Sequence, residues 1–457
     1  MIRLSNAHLR GYAGPAALPG YDRARVTAGI AHIGIGAFHR AHQAVYVDDL
    51  LAEAPQWGIR GISLRRPDTR DALAPQDGLY TLGIRDGNGL SARVIGSVLG
   101  VAQGMEAAIA AIADPQIRLV TITVTEKGYD ADGALVAVLA TGLARRSEIG
   151  GGPVTVLSCD NLLENGRRTE TLVRSAAADL APGLTAFLDE QVAFPSSMVD
   201  RITPATSDAD RAEIAALTGL EDAWPVITEP FAQWVIEDRF AAERPPFEQV
   251  GVKIVADVAP FETMKLRLLN GAHTTMAMLG PMLGHAHVAG AVADTDLAAL
   301  VTRTAQTEVF PTLDISQDVL RSYWRALMER FANPALRHAL AQIGTDSSQK
   351  VPVRLVPPAL ANHAAGRSCP GLTLAIASYA AHIRSVARAG EILADPLDAT
   401  LRDAAAGQPE DTISALSQDG MPLAALSATP DLALLIANAV EAIETRGARA
   451  AIHAVLP

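Results

Sequence analysis

The sequence predicts an α/β domain built on a mostly parallel sheet, followed by a second domain that is almost wholly α-helical. Three observations carry this. Up to about residue 255, segments rich in β-branched and apolar residues alternate with helically spaced ones, which is how a parallel sheet covered on both faces reads. From Pro260 onward only helical periodicity remains, broken at "ANPALR", "VPVRLVPP" and "ADPLD". The chain has 457 residues, more than one hydrophobic core ordinarily organises. The change of pattern at "VADVAPFE" sets the expected domains at 1–256 and 257–457.

Each element follows in order. Residues 28–38, "AGIAHIGIGAF", read as a strand entering a glycine turn, and "RAHQAVYVDDLLAEA" continues with helical spacing. "WGIRGISLRRP" reads as a second strand, "RLVTITVTEKGY" (118–129) as a third, and "PVTVLSCDNLLENG" (153–166) as a fourth that ends in polar residues. After the boundary, "FETMKLRLLNGAHTTMAML" (261–279) reads as a buried α-helix that nevertheless carries Lys265, Asn270 and His273.

Composition narrows the class. About half the residues are apolar (49%) and 19% are charged, as in ordinary globular proteins. A formal net charge of -12 disfavours nucleic acid, whose phosphates need a basic surface. Two cysteines, Cys159 and Cys369, fit a reducing compartment better than a disulfide framework. The opening "MIRLSNAHLRGYAG" lacks the apolar segment of a secretion signal, and no apolar run approaches the ~18 residues of a membrane span. The expectation is a cytoplasmic protein, monomeric or weakly oligomeric, acting on a small molecule, with no membrane or nucleic-acid partner.

The glycine turn points to a nucleotide. Gly34-x-Gly36 stands between a strand and a helix, the context a dinucleotide fingerprint requires. The first glycine makes the tight turn, and the second lets a pyrophosphate approach the helix N-terminus. Gly34, Gly36, Ala37 and Phe38 are therefore the candidate cofactor residues of this turn, although His39 fills the place of the third glycine. The second strand ends in "SLRRPD". Asp68 would bind a ribose 2′-hydroxyl, Arg65 and Arg66 would receive a 2′-phosphate, or both arginines are simply solvated. The preference is NAD, with NADP left open.

The helix at 261–279 suggests the chemistry. In an α-helix Lys265, Asn270 and His273 share one broad face, at ~140° and ~80° around the axis and over ~12 Å of length. Removing hydride from a secondary alcohol requires a base for the hydroxyl proton, and a lysine out of water can be one. Asparagine amides supply donors to a developing alkoxide without titrating. Asn270 offers one, and Asn161, at the end of the fourth strand, offers another. His273 would bind a neighbouring hydroxyl. Against this, Lys265 snorkelling to solvent, His273 satisfied in a core, and a helix stop at Asn270-Gly271 explain the same residues. No His/Cys cluster has ligand spacing, and the pairs His39/His42, three apart, and His285/His287, two apart, read as structural or exposed, so no metal is expected.

Taken together, "GIGAFHRAHQA", "PQDGLYTL", "TVTEKGY", "SCDNLLENG", "FPSSMVDRITPAT", "EPFAQWVIED" and "KLRLLNGAH" resemble, in order, the polyol-specific long-chain dehydrogenases. This family includes mannitol 2-dehydrogenase, arabitol dehydrogenases, and fructuronate and tagaturonate reductases. The resemblance runs from about residue 20 to the C-terminus. It implies a zinc-independent enzyme with Lys265 as base, Asn161 and Asn270 on the substrate oxygen, and His273 and Asp200 on the substrate. It also implies Glu126 and Lys127 beside the nicotinamide. The segment "RFANPALRHALAQIGTDSSQKVPVRL" (330–355) resembles the fructuronate reductases most. There Lys350 and Arg354 would face a carboxylate, Gln342 stands where mannitol enzymes tend to carry arginine, and Ser347 replaces an expected glycine. "EPFAQWVIEDRF" is expected to be a structural helix with Trp234 in the core.

These readings converge on a Rossmann-type domain followed by a helical one, with the active site in the cleft between them. The expected reaction is NAD-dependent interconversion of a ketose-type carbonyl and a secondary alcohol, first D-fructuronate and D-mannonate. The alternatives are a mannitol 2-dehydrogenase or arabitol dehydrogenase and, from another class, a non-catalytic NAD(H)-binding redox sensor.

Overall fold

The structure is a computed structural model that describes residues 2–456 apart from 88, 126, 127, 179, 181, 182 and 337. The chain divides into two compact units, Met1–Ala259 and Pro260–Pro457.

In the first unit six strands form one sheet: β1 (Ala28–Ile33), β2 (Gly58–Ser63), β3 (Val98–Gln103), β4 (Leu119–Ile122), β5 (Val154–Ser158) and β6 (Val192–Ala193). Every pairing is parallel and the order is β3-β2-β1-β4-β5-β6, the order of the doubly wound dinucleotide fold. Successive side chains leave opposite faces of a strand, and both faces are covered. Ile30, Ile59, Leu119 and Leu157 belong to one hydrophobic cluster with Leu50, Trp57 and Tyr80. Ala31, Ile33, Ile62, Val120 and Val156 belong to another with Ala108, Ile112, Leu139 and Leu143. Burial on both faces explains why these strands are continuous apolar runs rather than alternating ones.

The helices of this unit include α1 (Ala37–Ala41), α2 (Gln43–Leu50), α3 (Met105–Ala113), α4 (Ala134–Glu148) and α5 (Asn165–Ala178). The helix expected over "RAHQAVYVDDLLAEA" is thus two, broken at His42, whose φ and ψ of -124° and -88° interrupt the ladder. A second correction concerns "EPFAQWVIEDRF". It forms a strand, β8 (Gln233–Glu237), between β7 (Ser197–Asp200), antiparallel to it, and β9 (Lys253–Val255), parallel to it. Trp234 and Ile236 bury one side against the core that holds Phe247, and five residues suffice for a strand but not for a stable helix. Trp234 itself is 1% exposed.

In the second unit the described residues form helices and turns, with one isolated bridge between His287 and Ala339. Those that matter for the site are α6 (Ala259–Lys265), α7 (Gly271–Met282), α8 (Gln317–Phe331), α9 (Ser347–Arg354) and α10 (Pro370–Ala389). Between α6 and α7 the sequence expectation of one regular α-helix fails: Leu266–Asn270 is a π-turn, and the Gly271 N–H reaches back to the Leu266 carbonyl. A second π-turn, Ala305–Val309, carries Glu308, whose buried carboxylate accepts the N–H groups of Gly371 (2.9 Å) and Leu372 (2.8 Å). Those are orphan donors of the first turn of α10, and the carboxylate serves as their cap.

Candidate active site

The glycine turn leaves the C-terminal end of β1, beside β4, where the strand order reverses and such sheets bind ligands. Gly34 has φ 94° and ends β1 with its N–H on the Ile62 carbonyl of β2 (2.9 Å). A Cβ on Gly34 would lie well under 3.0 Å from the Thr123 carbonyl oxygen, in the loop after β4. Gly36 differs: it is exposed, it caps α1, and a Cβ there would meet only the Gly34 carbonyl, at 3.8 Å. The first glycine is required by the protein itself, and the second leaves room in front of the first N–H groups of α1, at Ala37 and Phe38, which have no intrahelical acceptor. The residues present therefore fit a pyrophosphate. Gly34→Ala is expected to cost about 2 kcal/mol or more of stability. Gly36→Ala should melt like the unaltered protein and still lose NADH affinity. Thermal melts beside fluorescence titration separate the two.

His39, in the place of the third glycine, is fully buried, and its ring stacks on His32 of β1 with centroids 3.3 Å apart and planes 11° apart. Burial holds its pKa well below the ordinary histidine value. Past β2, Arg65, Arg66 and Asp68 are exposed; Asp68 opens a short helix, Asp68–Leu73. Glu126 and Lys127 lie outside the described residues.

The residue before Asn161 organises this end of the sheet, and the sequence reading passed over it. Asp160 is 7% exposed. Its carboxylate accepts the N–H groups of Val124 (3.1 Å) and Thr125 (2.8 Å) and the Tyr129 hydroxyl (2.7 Å). Thr125 is thereby held at φ 72°, a region that β-branched residues rarely enter. Asn165, buried at the start of α5, donates to the Asp160 carbonyl (3.0 Å) and exchanges hydrogen bonds with Ser197 (2.8 and 2.9 Å). Asn161 stands exposed on the turn so fixed. Asp200 closes β7, is 5% exposed, and pairs in register with Gln233 of β8. The neighbouring Arg201 points elsewhere, donating to the carbonyls of Ala41 (2.6 Å) and Glu229 (2.9 Å).

In the second unit Lys265 is the last residue of α6 and half-buried. The π-turn that follows changes the predicted geometry. In i→i+5 register, residues five apart are separated by less than the ~140° of a regular helix, so the π-turn brings the faces of Lys265 and Asn270 nearer than a regular helix would. Asn270 is 8% exposed and His273 6%. The helix continues through Asn270-Gly271 into α7, so no stop occurs there. The His273 ring sits 4.6 Å from Phe331 and 5.0 Å, edge-on, from His338. Its Nε2 has no hydrogen-bond partner among the described residues. Burial, then His338, Arg330 and Arg354, press its pKa well below the usual value, which leaves a neutral imidazole able to donate or accept.

Arg354, at the end of α9, donates to the Thr274 hydroxyl (3.0 Å), next to His273. Lys350 is turned to its own loop: its ammonium donates to the carbonyls of Ile343 (3.1 Å) and Thr345. Ser347, in place of the expected glycine, does not need a glycine's backbone freedom. The left-handed residue is Asp346, at φ 52°, while Ser347 is helical and donates its hydroxyl to the Gly344 carbonyl (2.7 Å). Gln342 is exposed. Arg330 and His338 border His273 and were not singled out in the sequence, although both stand in "RFANPALRH", the segment that carried the resemblance. Among the described residues no three His, Cys, Asp or Glu side chains gather as a metal site, and no helix is long and apolar enough to cross a membrane.

Known proteins match this arrangement along its length. Residues 28–249 match the mannitol dehydrogenase Rossmann domain and residues 257–444 the mannitol dehydrogenase C-terminal domain. The mannitol 2-dehydrogenase of Phaeosphaeria nodorum is 37% identical over 471 residues, 95% of this chain and 82% of that protein. The ternary complex of Pseudomonas fluorescens mannitol 2-dehydrogenase with NAD and D-mannitol has a TM-score of 0.86 at 32% identity, over 99% of each chain. A substrate-free D-sorbitol dehydrogenase has a TM-score of 0.90 at 29% identity, over 99% of this chain and 100% of that one.

Proposed function

The chain belongs to the mannitol dehydrogenase family, and on that premise we propose that it interconverts a hexitol such as D-mannitol and its 2-ketose, using NAD. The observation that carries this is the match of both units to a solved enzyme that holds NAD and D-mannitol. A cradle suited to a pyrophosphate at Gly34–Phe38 supports it. Bound there, NAD would supply the acceptor or donor of hydride.

The chain's own residues supply the rest. Lys265 takes the hydroxyl proton in oxidation and returns it in reduction. Asn161 and Asn270 donate to the oxygen as charge develops on it, and being amides they keep that role at every working pH. His273, neutral and with Nε2 unspent within the described residues, exchanges a hydrogen bond with a neighbouring hydroxyl. Asp200 accepts from another. Gly34, Gly36, Ala37 and Phe38 would hold the pyrophosphate. Asp68 would accept from a hydroxyl of the adenosine ribose.

A second reading, D-fructuronate and D-mannonate, is favoured by the cations that border His273, Arg330 and Arg354, since a guanidinium suits a carboxylate. Following NADH absorbance with fructose, fructuronate, tagaturonate and xylulose in parallel decides between the readings. Lys350→Ala sharpens the decision. Because its ammonium holds loop carbonyls, the hexitol reading expects KM to rise alike for every substrate. A rise of about tenfold or more for fructuronate alone, the size of one lost charged hydrogen bond, would establish the uronate reading.

A further inference from the structure

Beneath the glycine turn lies a buried polar chain that no step above uses. His32 of β1 is 0% exposed and Thr121 of β4 is 2% exposed. The Nδ1 of His32 is 2.8 Å from the Thr121 hydroxyl, and its Nε2 is 2.9 Å from the Thr123 hydroxyl. The Thr123 hydroxyl in turn donates to the Gly34 carbonyl, 2.8 Å away. Counting protons fixes the direction of the chain. Thr123 has one hydroxyl proton, and Gly34 takes it. Thr123 must therefore accept from His32, so Nε2 carries the ring proton. Nδ1 is then bare and accepts from Thr121.

The end of this chain is well chosen. The Gly34 carbonyl also accepts the Gly36 N–H (2.7 Å). Two donors thus hold the carbonyl that separates the two glycines, one inside the turn and one from the loop after β4. On the other side, the Thr123 carbonyl stands where a Cβ of Gly34 would have to be. The His39 ring lies flat on His32 and so fixes the plane in which Nε2–H points.

We propose that His32 and Thr123 are positioning residues for the cofactor: the chain Thr121–His32–Thr123 aims the Gly34–Gly36 turn at the pyrophosphate, with His39 clamping the imidazole. This rests on the reading of that turn as the NAD site, and His32, 0% exposed, acts only through the turn. It also explains how a helix without the third glycine can serve, since the space that a close-packed glycine would save is occupied by a ring that orders the turn.

The test compares Thr123→Val, which keeps the shape and removes the hydroxyl, with Thr123→Ser, which keeps the hydroxyl. NADH affinity is read by fluorescence titration, and kcat is read at saturating NADH with the best ketose. The expected result is an NADH Kd about five- to tenfold weaker for the valine variant and near the unaltered value for the serine variant, with kcat little changed in both. The imidazole 15N spectrum should show His32 as the Nε2–H tautomer. Equal NADH affinity in the valine variant overturns the proposal, as does an equal loss in valine and serine variants or an Nδ1–H tautomer. An unaltered protein that binds no NADH overturns the NAD reading itself, and the proposal with it.

Discussion

Replacing Lys265 by alanine is expected to lower kcat about 10²–10⁴-fold, the range for a lost general acid–base group, while NADH affinity stays unchanged. The physical ground is the placement of this amine. It ends α6, half-buried, on the residue before a π-turn. Such turns interrupt the helical ladder and persist where a site requires the geometry they give. Asn270 at the far end of the turn is the companion test, for an oxyanion donor lost from an enclosed site costs about 10²–10³ in kcat. On the proposed roles the two losses should fall on kcat and kcat/KM together, because both groups would act on charge that exists only as the proton moves. Undiminished turnover in Lys265→Ala removes the assignment. An unaltered protein that binds NADH but turns over no ketose, polyol or keto-uronate is instead the redox sensor.

The parts of this fold that the sequence displays are those whose physics is local. β1, β2, β4 and β5 are apolar because helices cover both faces, and a run such as "LVTI" shows this without its partners. The Gly34 turn is equally plain, since no other residue sits easily at φ 94°. What stayed hidden depends on distant contacts. β3, "VLGVAQ", is largely half-exposed at the sheet edge and has a glycine at its centre, so neither composition nor period marks it. β8 was misread because its partners, β7 and β9, are remote in sequence. The π-turn at Leu266–Asn270 is invisible to a search for 3.6-residue periodicity. Asp160 acts on backbone 35 residues away, so its role could not be seen in "SCDN". His39 looked like a defect in the fingerprint until β1 placed His32 beneath it.

Mild acid is expected to destabilise the first unit steeply, because burial keeps two of its histidines, His32 and His39, well below their ordinary pKa. Burial holds the His32 pKa at about 3 and that of His39 well below the ordinary 6.5. The sign follows from proton counts. Between pH 6.5 and the folded-state values the unfolded chain binds two protons that the native unit refuses, so stability is fully present above 6.5 and is lost as pH falls through that window. Each ring contributes about 1.4 kcal/mol per pH unit below 6.5. From pH 7.5 to 5.5 these two rings alone should therefore cost the unit about 3 kcal/mol. Asp48 works in the opposite direction: burial raises its pKa, so it gains a proton on folding, and any offset it makes reduces the loss. Cys159, free and 1% exposed in this unit, provides the measurement. Its labelling by a dithiodipyridine, which reacts with thiols in mild acid, is followed against urea at both pH values and reports the unfolding free energy of its own surroundings. His39→Leu should remove about half of what these two rings contribute, since one of them is gone. A loss that is the same in His39→Leu, or absent in the unaltered protein, would mean that these rings are charged or exposed in solution, and the stacked pair beneath the glycine turn would have to be abandoned.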